Sequence, residues 1–186
     1  MARWGSADFA QLQKLRNSVE KLQKVDMQRF CEDCARELAA RLLALVIPRT
    51  PVGKTQREKD AKGKLRAVHM GGALRRGWTA KTEAEAEQRG GGSDGATYAQ
   101  SLPVTKAGGW YQVTVINPVR YASYVEYGHR QTPGRYVPAI GKQLKKAWVP
   151  GQYMLTISEK QLQSIIPSLL ERKLQAFLEE AFNGGN

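Results

Sequence analysis

Residues Trp110 to Ile116 alternate in a way that only a strand can use. Side chains on a strand repeat every two residues, so Tyr111, Val113 and Val115 fall on one face. Asn117-Pro118 stops this ladder, because proline has no N–H to donate and pushes the residue before it out of the helical region. Tyr121 to Tyr127 then reads as a short helix, with Tyr121, Tyr124, Val125 and Gly128 at helical spacing. A glycine stop and a loop rich in Arg, Pro and Gly follow. A strand, a short aromatic helix and a basic loop in succession point to the edge of a sheet rather than to a catalytic centre.

The chain has 186 residues, 41% of them hydrophobic, which suits one domain of modest core with appendages. The expected class is α+β: a small antiparallel sheet of about four strands, packed by a long N-terminal helix and C-terminal helices, with a long basic loop. The divisions expected are a helical arm at 1–48, a core at 49–157 and a C-terminal helical segment at 158–186. Within the core, 49–72 reads as the basic loop and 83–98 as a flexible excursion. No apolar run approaches the roughly 20 residues that a membrane span needs, and the start MARWGSADF lacks the apolar centre of a signal peptide. A soluble protein of the cytoplasm is the expectation.

Asp8 and Gln11 can cap a first helix, along which Leu12, Leu15, Val19 and Leu22 form a narrow seam, suited to the same chain or to a neighbouring subunit. Asp26 opens a second helix with a wider stripe: Met27, Phe30, Cys31, Cys34, Leu38, Leu42 and Leu45, ended by Pro48 and Pro51. Gly71 to Ala80 reads as a turn entering a strand anchored by Leu74 and Trp78. A further strand, Ala99 to Lys106, joins the Trp110 strand through Ala107-Gly108-Gly109 as a hairpin. A short strand near Tyr153 to Ile157, a capping box at Ser158 and Gln161, a break at Pro167 and a last helix to Phe182 complete the reading.

Lys and Arg number 29 against 17 Asp and Glu, for a formal charge of +12, so polyanions and acidic protein surfaces are natural neighbours. Between Arg49 and Arg76 nine Lys or Arg face only Glu58 and Asp60, a local +7. Lys54, Arg57, Lys59, Lys62, Lys64 and Arg66 of this loop are candidate contacts to a protein partner or to DNA. A second basic region, Arg120 to Lys146, carries six cations and the single acid Glu126, for which Arg75 and Arg76 are candidate partners. VGKT invites a P-loop reading, but the earlier glycine that the motif requires falls on Pro48 and no strand precedes it.

Cys31 and Cys34 lie inside a helical pattern, away from the helix N-terminus that activates redox pairs, and read as small buried thiols. His69 and His129 are too scattered to complete a zinc site. Paired histidines, GxSxG and HExxH are all missing, so no catalytic, metal or cofactor residues are assigned.

Several blocks together carry a resemblance: Thr50-Pro51-Val52-Gly53, then Gly72-Ala73-Leu74-Arg75-Arg76, then Tyr121-Ala122-Ser123-Tyr124-Val125-Glu126-Tyr127-Gly128. In this order, from about Ala35 onward, the chain resembles the phage gene-product-ten-like tail-completion proteins, similar to the lambda minor tail protein Z. The resemblance implies a non-enzymatic virion protein, assembled in the host cytoplasm, that acts at the neck joining head to tail. It implies a ring of about six or, alternatively, twelve subunits, in contact with neck, head-completion and tail-terminator or tail-tube proteins and with DNA passing through the channel. Leu74, Arg75, Arg76, Tyr121, Tyr124, Val125, Glu126, Tyr127, Arg130, Arg135 and Tyr136 are then the candidate interface. The competing class is a free-standing basic nucleic-acid-binding protein, which lacks a helix-turn-helix, a zinc module or an RNA-binding aromatic signature.

Overall fold

The computed structural model describes residues 13, 16–17, 27–53, 55–59, 65–69, 71–138 and 141–183. Of 56–59, 65–69 and 181–183 only the backbone is described. The N-terminal seam of Leu12, Leu15, Val19 and Leu22 lies outside these residues, as do Asp26, Lys54, Lys62 and Lys64. Two compact units divide the chain: residues 35–164 form one, and 1–34 with 165–186 form the other.

Helix and short antiparallel ladders mix along the chain, as the α+β expectation requires. Helix α1 spans Met27–Arg49, α2 Ala73–Gly77, α3 Glu83–Glu87, α4 Gly95–Ser101, α5 Ala122–Tyr127 and α6 Met154–Asn183. Strands β1 (Gln56–Lys59) and β2 (Leu65–His69) pair, as do β3 (Val104–Ala107) with β4 (Trp110–Val113). Strand β5 (Gly128–Arg130) pairs with β8 (Trp148–Pro150), and β6 (Tyr136–Val137) with β7 (Lys142–Gln143). Among the described residues these are four separate two-stranded ladders, in place of the one sheet of about four strands expected. Such short ladders cannot form a layer of their own, and the core of the larger unit is built by helices. The stretch expected as one long basic loop holds the β1–β2 hairpin.

That core gathers Ala39, Leu43 and Val46 of α1, Leu74 and Trp78 of the α2 region, Ala80, Ala86, Ala99, Val119 and Met154. The buried line of α1 is thus turned by one residue from the expected Leu38–Leu42–Leu45 stripe, whose members are half-buried. Val113 and Val115 pack against the core while Gln112, Thr114 and Ile116 face outward, so the alternation read from sequence holds. Gly108 and Gly109, both at positive φ, make the two-residue turn between β3 and β4.

Two segments differ from expectation because of local caps. Residues 83–98 contain α3 and the start of α4 instead of a flexible excursion, and bury Ala86. The Thr82 hydroxyl accepts from Glu85 N, and the Glu85 carboxylate accepts from Lys81 N, an arrangement close to a capping box. Asp94 caps α4 by accepting from Ala96 N and Thr97 N, both at 3.1 Å. The Thr97 hydrogen bond leads the effects that hold this carboxyl below its usual range, and burial acts against them. Its contribution is present above the unfolded carboxylate value and fades as the pH falls through the lower folded one. Gly71 to Ala80, expected as a turn entering a strand, keeps the turn at Gly71-Gly72 but continues as α2, whose Ala, Leu and Arg residues favour helix.

In the smaller unit, Cys34 and Leu169 are buried and the rings of Phe30 and Phe177 lie 4.3 Å apart. Cys31 is half-buried, and neither cysteine is in a disulfide. Helix α6 runs through Pro167 without the expected break. Among the described residues no helix is long and apolar enough to cross a membrane.

Candidate functional site

Four polar residues of the three resemblance blocks, Thr50, Arg75, Arg76 and Glu126, share one job in the larger unit: they satisfy polar groups at helix ends, where a helix leaves its first N–H and last C=O groups unpaired. Thr50 closes α1. Its hydroxyl donates to Val46 O at 2.8 Å and accepts from the Trp78 indole at 2.7 Å. Arg75 donates Nε and Nη2 to Thr50 O, at 3.0 and 2.7 Å. Arg76 serves α3 in the same manner, through Nε to Ala86 O at 2.8 Å, and reaches Gly71 O through Nη1. Asn117 donates to Leu74 O, and Gly77 makes room for it, since a Cβ there would lie 2.2 Å from Asn117 Oδ1.

Glu126 lies on α5 with only 4% of its surface exposed. The expected pair with Arg75 or Arg76 does not form, because both arginines are turned to backbone carbonyls. The carboxylate instead accepts from Leu155 N, Thr156 N and the Thr156 hydroxyl, at 2.9, 2.9 and 2.8 Å. These are donors of the first turn of α6, where a negative charge also meets the positive end of the helix dipole. The expected strand near Tyr153 to Ile157 therefore exists as helix. Ser158, expected as a cap, is buried one turn inside, its hydroxyl bonded to Met154 O. Tyr153, at φ 49, makes the bend into the helix.

Around this clamp the surface is aromatic. Tyr124 and Tyr127 are 58% and 59% exposed, and Trp148 and Tyr153 are 50% and 46% exposed. They are held together by backbone bonds: Gln152 N to Val125 O, Tyr153 N to Glu126 O, and the β5–β8 ladder. The Tyr124 ring lies 5.7 Å from that of His129. Gly128 sits at φ 83, where a Cβ would lie 2.4 Å from Val149 O and 2.9 Å from the Trp148 ring. Gly128→Ala is expected to destabilise the protein by at least about 1–2 kcal/mol, the penalty for a side chain in the left-handed region, and to shift the urea midpoint accordingly. An unchanged midpoint would show that the Trp148 edge is not held as described.

Of the other predicted site residues, Leu74 is in the core and Val125 packs against it. Tyr121 is at the surface beside Glu87 and Glu83, and burial followed by these charges raises its phenol above the usual range. Arg130, Arg135 and Tyr136 are exposed. Arg57, Lys59 and Arg66 lie on β1 and β2, where only backbone is described. Trp148 and Tyr153 were not singled out by sequence. Trp148 faces outward because its strand pairs with β5, a pairing that no local pattern announces. Among the described residues no group of three His, Cys, Asp or Glu could hold a metal.

Comparison with protein-family models places the chain among bacteriophage tail components. Residues 13–128 match the HK97-gp10-like model, described as "Bacteriophage HK97-gp10, putative tail-component", and the chain belongs to that family. Neither a curated protein nor a solved structure matches the chain with significance. The matched region ends on Gly128, so it includes Glu126 but neither the α6 turn that Glu126 caps nor the segment between them.

Proposed function

We propose that this phage tail component is a structural virion protein that completes the tail at the neck, where it joins head to tail by forming a ring and docking onto neighbouring proteins. The observation that carries this reading is the exposed aromatic edge of Tyr124, Tyr127, Trp148 and Tyr153. Half-exposed aromatic side chains on a rigid, hydrogen-bonded frame are what protein interfaces use as anchors, at small cost in side-chain entropy. A ring needs two different patches on each subunit. The aromatic edge supplies one, and the exposed apolar side chains of α6, Ile165 and Leu174, are candidates for the other. Six subunits are favoured, in keeping with tail symmetry, and the basic stretch from Lys54 to Arg66 faces neck, head-completion or tail-terminator proteins.

Tyr124→Ala with Tyr127→Ala tests the reading. Both side chains are more than half exposed, so the thermal midpoint should change little, by the equivalent of about 0.5 kcal/mol. The yield of joined particles seen by electron microscopy should drop severalfold when the variant replaces the wild type during assembly. Normal particle yield with a much lowered midpoint would place these rings in a structural role and remove the proposal.

A further inference from the structure

From Gly128, where the family match ends, to Pro150 the chain forms a two-stranded arm. The base is the β5–β8 ladder, extended by Gln131 N to Ala147 O, and the tip is the β6–β7 ladder, joined through Leu144 N to Arg135 O. Tip and base differ in register by one residue, as at a bulge. Among the described residues no side chain from 128 to 150 is buried. Arg130, Arg135, Lys142, Lys145 and Lys146 lie here without one Asp or Glu.

The distribution of these cations is specific. One open depression is lined by Arg130 and Arg135 with His129, Gln131, Thr132, Val137 and Leu144. The next is lined by Lys142 and Lys145 with Tyr136, Gly141, Gln143 and Leu144. They adjoin at Leu144, so two depressions with two cations each follow one another along the ribbon, and neutral hydrogen-bonding side chains help to line both. Among the described residues none of the four cations has a hydrogen bond or an ion pair, whereas Arg49, Arg75, Arg76 and Arg120 are all engaged.

We propose that this arm binds double-stranded DNA by its phosphodiester backbone, with Arg130 and Arg135 holding one phosphate and Lys142 and Lys145 the next. Guanidinium and ammonium groups with neutral donors beside them and no competing acid suit phosphate oxygens. A two-stranded ribbon is also a shape that the major groove admits. Lysine is depleted at the centre of protein–protein contacts, which are built on buried aromatic anchors. The paired lysines of the arm therefore favour a polyphosphate over an acidic protein. The proposal does not depend on the assembly role, because free protein would already show the binding.

The test is fluorescence anisotropy of the full chain with a labelled duplex, over a salt series from about 50 to 200 mM. Arg130→Ala with Arg135→Ala, and separately Lys142→Ala with Lys145→Ala, should each weaken binding by about tenfold or more at the low-salt end and flatten the log–log slope by about 0.9, the share of the one phosphate that each pair holds. Lys160→Ala with Arg172→Ala on α6 removes the same charge elsewhere and should leave the slope within about 0.5 of wild type. Thermal melts report folding, and the lysine pair decides if the arginine pair does not fold. Absence of binding by the wild type, or equal loss in the α6 control, would overturn the proposal. Arm variants that keep the duplex but lose binding to polyglutamate would also overturn it, and would assign the arm to an acidic protein. Joined particles formed by arm variants that no longer bind DNA would leave the tail role standing, so the two readings fail separately.

Discussion

Trp78→Ala is expected to destabilise the protein by about 3–5 kcal/mol, the range for emptying an aromatic site in a packed core. Trp78 is 3% exposed and packs among side chains from α1, α3, α4 and α6. No small neighbour can close such a space, and total stabilities of about 5–15 kcal/mol leave little margin, so the variant should melt near or below growth temperature. Trp78→Phe is a smaller loss. It keeps a six-membered ring but gives up the rest of the indole, with the cost of the space left, and the N–H that Thr50 Oγ1 accepts at 2.7 Å, a hydrogen bond that contributes about 1 kcal/mol. Thr50→Val should lose a similar amount, and the double variant should lose less than the sum by about 0.5–1.5 kcal/mol. Strict additivity in urea denaturation would mean that Thr50 does not link α1 to Trp78.

Glu126→Ala should lower stability by about 3 kcal/mol, because two backbone N–H groups and a hydroxyl lose a charged acceptor in a place that water barely reaches. Part of the loss is the interaction of the carboxylate with the start of α6, about 0.3–1 kcal/mol. Glu126→Gln keeps one acceptor oxygen and should fall between wild type and Ala. Amide exchange separates this role from a general loss of packing: Leu155 and Thr156 should exchange faster in both variants, with little change in the middle of α1. If Gln matched the wild type in midpoint and exchange, the carboxylate would not be the cap of α6.

Sequence and structure agree where a residue's neighbours along the chain determine its state. The alternation from Trp110 to Ile116, the Gly108-Gly109 turn and the short helix after Pro118 are all present. The helices at 83–87 and 95–101 were also within reach of local rules: Thr82 with Glu85, and Asp94 with Thr97, are cap signals that the glycine-rich composition obscured. Pro167 misled in the other direction. A proline removes one N–H, and a thirty-residue helix that is otherwise bonded on both sides accommodates the loss.

Family membership could be read from the amino-acid sequence alone, since short blocks in a set order suffice for it. What those blocks do could not. Arg75, Arg76 and Glu126 read as candidate ion-pair partners at an interface, and only tertiary structure shows each facing the unpaired end of a helix elsewhere in the chain. The same holds for the start of α6. Tyr153 to Ile157 has strand composition, and becomes helix because a carboxylate 29 and 30 residues earlier satisfies the N–H groups of Leu155 and Thr156. Local patterns determine which face of an element is apolar. Which orphaned hydrogen-bonding group meets which distant side chain is settled only when the chain closes on itself, since an unpaired buried polar group costs more free energy than local propensity can return.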